Sequence, residues 1–408
     1  MVRKLDLRTG RPVWFAYRAP SVPAARLTSR TLTADVLIVG MGIGGAMMAE
    51  ALTAQGRSVI CIDRRGPMKG STPATTALIQ FEIDEPLTSL SRMIGKSRAE
   101  QAWRRSRLAV TNLHGRIAEL AIACDLAERN SLYLAGDALD PDQLRAEASA
   151  RRMAGIAATY LPAKRLKERF GIARRGAILS HDNLALDPRK LTAGLLRKAL
   201  ERGARFFAPI EAGAFHATRD EVTVETMQGP QIRARHVVLA TGYELTDLVP
   251  SQNHRIISTW AIATRPQPRA IWPGAAFIWE ASDPYLYMRA TADGRVVCGG
   301  EDEDFTDEEA RDALIDTKAK RIAGKLRSLF PNLDPSAEFA WAGAFGTTTT
   351  GLPYIGALPG RPRIFAVMGY GGNGITYAQI ASEIISAAIA GGQDSDASLF
   401  GFGRKDRP

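Results

Sequence analysis

The chain carries only three cysteines, Cys61, Cys124 and Cys298, which lie 63 and 174 residues apart. That spacing excludes a CxxC redox pair, a zinc knuckle and a disulfide framework, and it suits a reducing cytoplasm. The five histidines, His114, His181, His216, His236 and His254, show no metal-ligand spacing, so structural roles are expected for all of them. No nucleophile elbow and no P-loop occur, which excludes hydrolase and kinase readings. Long hydrophobic runs are missing too. The longest uncharged apolar stretch, 36–49, is glycine-laden and shorter than the roughly 18 residues that a membrane span requires. No apolar segment follows the basic start, which argues against a secretory signal and leaves an arginine-rich transit peptide as the alternative.

What is present is globular. With 408 residues, 45% of them hydrophobic and 24% charged, the chain is too long for one simple module and can bury a large core. Lys+Arg 53 against Asp+Glu 43 leaves a net charge of +10, which would suit a phosphate, a nucleic acid, an acidic membrane surface or a carboxylate. The charge is unevenly placed. Arg3, Lys4, Arg8, Arg11, Arg18, Arg26 and Arg30 against Asp6 put +6 of it in residues 1–33, read as a basic extended leader. Arg92, Lys96, Arg98, Arg104, Arg105 and Arg107 open a helical region whose apolar positions Leu113, Ile117, Leu120 and Cys124 share one face; a solvated helix face explains these cations.

The chemistry starts at Gly40-Met41-Gly42-Ile43-Gly44-Gly45. An apolar strand (35–39) precedes this turn, a helix (44–55) follows, and a second strand (58–62) ends at Asp63, 23 residues after Gly40. That is a β-α-β unit with a G-x-G-x-x-G turn. Gly40 permits the turn, Gly42 lets the backbone approach a pyrophosphate, and Gly45 lets helix and strand pack closely. The helix N-terminus favours phosphate, and the Asp63 carboxylate can take ribose hydroxyls. The turn alone does not choose between NAD and FAD. Small hydroxyl residues follow at 70–76, and near the C-terminus Gly369-Tyr370-Gly371-Gly372-Asn373-Gly374-Ile375-Thr376 again joins a strand (364–368) to a helix (375–390). This second turn cannot open a full dinucleotide unit, because no acid-tipped strand follows; its amides and dipole suit negative charge on a reduced flavin.

With these motifs the sequence resembles the FAD-dependent amine and amino-acid oxidoreductases, the family of D-amino-acid oxidase, glycine oxidase, sarcosine oxidase and gamma-glutamylputrescine oxidase. The resemblance spans about residues 34–392 and rests on GMGIGG with Asp63, STPATTALIQ, DPRKL, ARHVVLATGY, DGRVVCGGEDE, and GLPYIG followed by GYGGNGIT. It implies FAD contacts at Gly40, Gly42, Gly44, Gly45, Asp63, Arg64, Ser71, Thr75 and Thr76. It further implies contacts from Ala212, Gly242, Gly371, Gly372, Asn373, Gly374, Ile375 and Thr376. Asp63 stands where the family more often has glutamate. No histidine in 71–80 and no cysteine near 341–350 offers a covalent attachment point, so a non-covalent FAD is expected.

The fold implied is an α/β FAD-binding Rossmann-like domain (34–90, 180–257 and 346–408) interleaved with an α+β substrate domain (91–179 and 258–345) on an antiparallel sheet. In a strand, residues two apart share a face, so Tyr285, Tyr287 and Arg289 point the same way. They either hold a substrate, with arginine pairing a carboxylate, or form an outer face with Arg289 over the tyrosines. Trp260 and Trp279 read as core or pocket wall and Glu280 as surface. Glu301, Asp302, Glu303 and Asp304 read as a solvated acidic turn, or as a rim that attracts amines.

The expected activity is oxidation of a primary or secondary amine (amino acid, N-methyl amino acid or polyamine derivative) by hydride transfer to flavin, the imine then hydrolysed, with oxygen or an electron carrier as acceptor. No nucleic acid partner is expected. The alternatives are an NAD-dependent dehydrogenase and a basic flavin module associated with tRNA.

Overall fold

The computed structural model describes residues 5–28, 30–251 and 253–404. Arg3 and Lys4 of the leader lie outside the described residues. Two sheets organise the chain. In the first, the order is Tyr354–Leu358, Arg361–Met368, Gln231–Leu239, Thr31–Val39, Val59–Ile62 and Arg205–Phe207. Pairing is parallel from Arg361–Met368 to Arg205–Phe207 and antiparallel at the Tyr354–Leu358 edge and where Val222–Thr226 joins Gln231–Leu239. Parallel strands are covered on both faces, which explains the unbroken apolar runs Val36–Ile38 and Val59–Ile62, all buried. The helices Ile43–Ala54, Pro188–Glu201 and Gly374–Ile389 pack together over one face. Asp187 caps the second of these, accepting from the amides of Arg189 and Lys190, with Pro188 at the first helical position. The hairpin of Ala212–Ala217 and Val222–Thr226 covers the other face through Val222 and Val224.

The second sheet runs Arg8–Gly10, Ala337–Thr348, His254–Thr264, Val296–Glu303, Leu286–Ala290, Phe277–Glu280, Ala127–Leu134, Gly176–Ala185 and Leu78–Ile79, with Ala158–Pro162 also on Gly176–Ala185. It was expected to be antiparallel; Phe277–Glu280 and Ala127–Leu134 pair in parallel, so the sheet is mixed. Ile322, Leu326 and Leu329 of the helix Ile315–Leu329 bury one of its faces.

Several expected boundaries move. Two helices follow the acidic run, Glu308–Ala313 and Ile315–Leu329, with Asp307 capping the first. The helix Lys96–Glu119 stops short of Cys124, where Ala121 takes a positive φ of 51°. Leu78–Ile79, residues 180–185 of Gly176–Ala185 and the start of His254–Thr264 belong to the second sheet, although the sequence reading put them in the FAD-binding domain. The leader is built into the fold. Arg8–Gly10 pairs with Ala337–Thr348, Val13 and Trp14 are buried, and residues 31–33 already form the first parallel strand.

Trp14 ties the leader to the middle of the molecule, its indole Nε1 donating to Thr75 O at 2.6 Å. Replacing it by alanine removes a fully buried aromatic and orphans that carbonyl, so Trp14→Ala is expected to cost about 3–5 kcal/mol. A fall in the thermal unfolding midpoint of several degrees checks this, and an unchanged midpoint contradicts it.

Candidate active site

A cavity of about 280 Å³, partly open to solvent, lies between the two sheets. The glycine turn forms one end. Gly40 has φ +115°, and a Cβ there would sit 2.3 Å from Ala240 O; a Cβ on Gly45 would sit 2.0 Å from Gly40 O. Only glycine fits at either place. A Cβ on Gly42 would point into the cradle, 3.2 Å from Thr72 Oγ1, while that hydroxyl accepts from Ile43 N at 3.1 Å. Asp63 ends the second strand as expected. Its carboxylate accepts from Met41 N at 2.8 Å, Arg65 N at 2.7 Å and Gly66 N at 2.8 Å, which fixes it on the cavity wall.

Arg64 and Arg65 stand beside it. Arg65 grips buried Glu244 with both Nη atoms, each at 2.6 Å, and that bonding raises its pKa. Arg64 pairs with Glu244 and, at 3.1 Å, with Glu211. The two cations of the cavity wall are therefore neutralised at this end.

The crossing segment 70–80 forms the next part of the wall. It has almost no ladder of its own. Trp14 Nε1 donates to Thr75 O, Trp341 Nε1 to Ala74 O at 2.8 Å, and Arg289 Nη1 to Ala77 O at 2.6 Å. Held this way, Ser71, Thr75 and Thr76 line the cavity. The C-terminal glycine turn closes it from the other side with Gly371, Gly372, Asn373, Gly374 and Ile375. Asn373 Nδ2 donates to Glu82 O and Thr376 Oγ1 to Gln80 O, both at 2.7 Å.

Of the residues expected from sequence, Gly40, Gly42, Gly44, Asp63, Arg64, Ser71, Thr75, Thr76, Ala212, Gly242, 371–375, Tyr285 and Tyr287 all border this space. Gly45, Thr376 and Arg289 do not. Gly45 lies behind the turn as a packing glycine, and Thr376 positions the Gln80 carbonyl.

Arg289 corrects the reading that it holds a carboxylate. Its guanidinium is buried, donates to Ala77 O and to Leu186 O at 3.0 Å, and lies 5.3 Å from the Trp14 ring. Its Nε and Nη1 are spent on the backbone carbonyls of Ala290, Ala77 and Leu186, and burial pushes its pKa down to about 9. It remains a cation at neutral pH and works as a clamp.

The far end is aromatic. The rings of Tyr285 and Tyr287 are 5.5 Å apart, Tyr243 meets Tyr370 edge-on at 6.1 Å, and Trp279 stacks on Tyr133 at 3.7 Å. Burial raises the pKa of both Tyr285 and Tyr287, which keeps the phenols neutral. The acidic run 301–304 is not a solvated turn throughout. Glu301 is buried and paired with Lys318 and Lys325, the latter at 2.5 Å. Asp302 turns inward beside Thr259 and Tyr285, and neither carboxylate oxygen has a partner in hydrogen-bond geometry.

Sequence reasoning missed Glu244, Trp14, Trp341 and Asp84. Glu244 sits two residues past Gly242, where the strand-end motif offered a signal. Asp84, which borders the cavity and accepts from Gly372 N at 2.8 Å, had none.

Burial lifts the Asp302 carboxyl to about 6 from an ordinary 3.8. Its ionised form is penalised in the fold, so stability falls as pH rises from the unfolded value through the folded one. The stability of Asp302→Asn relative to the parent is expected to improve by on the order of 3 kcal/mol between pH 4 and pH 7. Denaturant titration at both pH values checks this, and a pH-independent difference contradicts it.

Known proteins share this architecture. The chain is 22% identical to the probable oxidoreductase OrdL of Rhizobium meliloti (strain 1021), over 95% of this chain and 90% of that protein. It is 22% identical to gamma-glutamylputrescine oxidoreductase of Escherichia coli (strain K12), over 89% and 85% respectively. The crystal structure of glycine oxidase from Geobacillus kaustophilus shares the fold, with TM-score 0.77 and 20% identity over 92% of this chain and 99% of that one. No helix among the described residues is long and apolar enough to cross a membrane. Residues 35–388 match the model of the DAO family, FAD dependent oxidoreductase, and the chain belongs to that family of FAD-dependent enzymes.

Proposed function

We propose that the protein oxidises a primary or secondary amine, with FAD held non-covalently along the cavity from Asp63 to the aromatic end. The observation that carries this reading is the continuity of the wall. A phosphate cradle, a hydroxyl-lined crossing segment, a glycine turn at a helix N-terminus and an aromatic pocket border one space. The residues fit the cofactor. Gly42 leaves room where a side chain would intrude, the N-terminus of Ile43–Ala54 faces that room, and Asp63 on the cavity wall would offer its carboxylate to ribose hydroxyls. Bound FAD supplies the two-electron acceptor for a hydride from the carbon bearing nitrogen, leaving an imine that water hydrolyses to a carbonyl compound and an amine or ammonia.

The chain's own residues do the rest. Tyr285 and Tyr287 exclude water from the reacting carbon and keep it against a neutral wall. An ammonium must shed a proton before it reacts, and Asp302 behind Tyr285 gives that proton a place to go at neutral pH. Nothing in the pocket calls for a nucleophile. The three free thiols are all buried. Oxygen or an electron carrier then takes the electrons; peroxide formed in step with the carbonyl product identifies oxygen, and its absence identifies a carrier.

Gly42→Val fills the cradle at a backbone conformation that valine tolerates, with φ −82°. The variant is expected to fold and to lose flavin affinity by about a hundredfold or more. Flavin fluorescence during reconstitution of the stripped protein measures this; a variant that retains one tightly held FAD contradicts the placement.

A further inference from the structure

Among the described residues, one ionisable side chain besides the phenols lines the aromatic end of the cavity, and that side chain is an acid. Asp84 is exposed to the cavity yet shielded from bulk water by the surrounding protein. Its Oδ2 accepts from the Gly372 amide, while Oδ1 has no hydrogen-bond partner among the described residues. Its charged and titratable neighbours are Glu85, Tyr133, Tyr243, Tyr285, Tyr377 and Asp302, none of them a cation.

We propose that this end recognises an alkylammonium with no carboxylate on the carbon beside its nitrogen, and that Asp84 is the group that holds the positive charge. The inference rests on the reading of the protein as an amine oxidoreductase and narrows its substrate class. Three observations carry it. The two cavity arginines sit at the opposite end, neutralised by Glu244 and Glu211. Arg289, which alternation placed on the substrate face, is buried behind it and bound to backbone carbonyls. The Gly372 amide, one anion-binding donor of the glycine turn, is already taken by Asp84 itself.

An α-carboxylate entering this end would therefore meet a like charge and no guanidinium, with its desolvation uncompensated. An ammonium would instead meet a carboxylate with a free oxygen and the π faces of Tyr243, Tyr285 and Tyr287.

The test uses the holoenzyme and pairs of ligands that differ only in the carboxylate: pentylamine against D- and L-norleucine, and N-methylpentylamine against N-methylnorleucine. Anaerobic bleaching of the flavin is expected with the amines and at least about a hundredfold less efficiently with their carboxylated partners. Binding is read separately by calorimetry with trimethylpropylammonium, which has no N–H to lose. Asp84→Asn is expected to weaken that binding by about tenfold to a hundredfold at unchanged flavin content. Preference for norleucine overturns the proposal, as does ammonium affinity in Asp84→Asn within twofold of the parent. If trimethylpropylammonium binds in an Asp84-dependent way but no amine or amino acid bleaches the flavin, the recognition stands and the amine-oxidation reading falls. Should Asp84→Asn not fold, the ligand pairs on the parent protein decide the matter alone.

Discussion

The segment 70–80 has to cross between the two sheets, and the rest of the site depends on how it is held. It contributes only the two-residue strand Leu78–Ile79 to any ladder, so its carbonyls need partners from elsewhere. Trp14, Trp341 and Arg289 supply them at Thr75, Ala74 and Ala77. Each donor comes from a different part of the chain: the leader, the long strand of the second sheet, and the strand that carries Tyr287. Buried N–H groups facing buried carbonyls are costly to separate, so the seam fixes the two sheets against each other. The hydroxyls of Ser71, Thr75 and Thr76 then border the cavity between those sheets.

The same seam accounts for the disposition of charge. Two of the described leader cations lie against the fold. Arg8 Nε reaches Gly70 O at 3.2 Å, and Arg11 lies 4.7 Å from the Phe339 ring. At the cradle end, Arg64 and Arg65 are matched by Glu211 and Glu244, and Arg65 also reaches Leu5 O at 2.7 Å. Positive charge is thus used for packing and for the phosphate end. The far end of the cavity is left with aromatic faces and Asp84. A net charge of +10 over the chain coexists with a pocket whose local character is the opposite.

What could be read from sequence follows from the range of the forces involved. The glycine turn, the strand before it, the helix after it and the acid at Asp63 are set by neighbours within a few residues, and each was legible. The alternation of Tyr285, Tyr287 and Arg289 was also real. What covers each member is decided by Trp14, Ala77 and Leu186, more than a hundred residues away, so the fate of the guanidinium was not legible. The acidic run 301–304 misled for a related reason. A register shift against Ser258–Trp260, with φ 59° at Glu301, turns two of its members inward, and no propensity announces such a bulge. Asp84 carries no spacing signal at all; only the fold brings it to Gly372.

The account stands on one claim, that this cavity joins a flavin to an amine. The most direct measurement is anaerobic titration of the purified yellow protein with a primary amine, followed through the visible flavin band. The account predicts stoichiometric loss of that band and its return when an oxidant is admitted. A protein that carries no flavin, or a flavin that stays oxidised with every amine and amino acid offered, would contradict it.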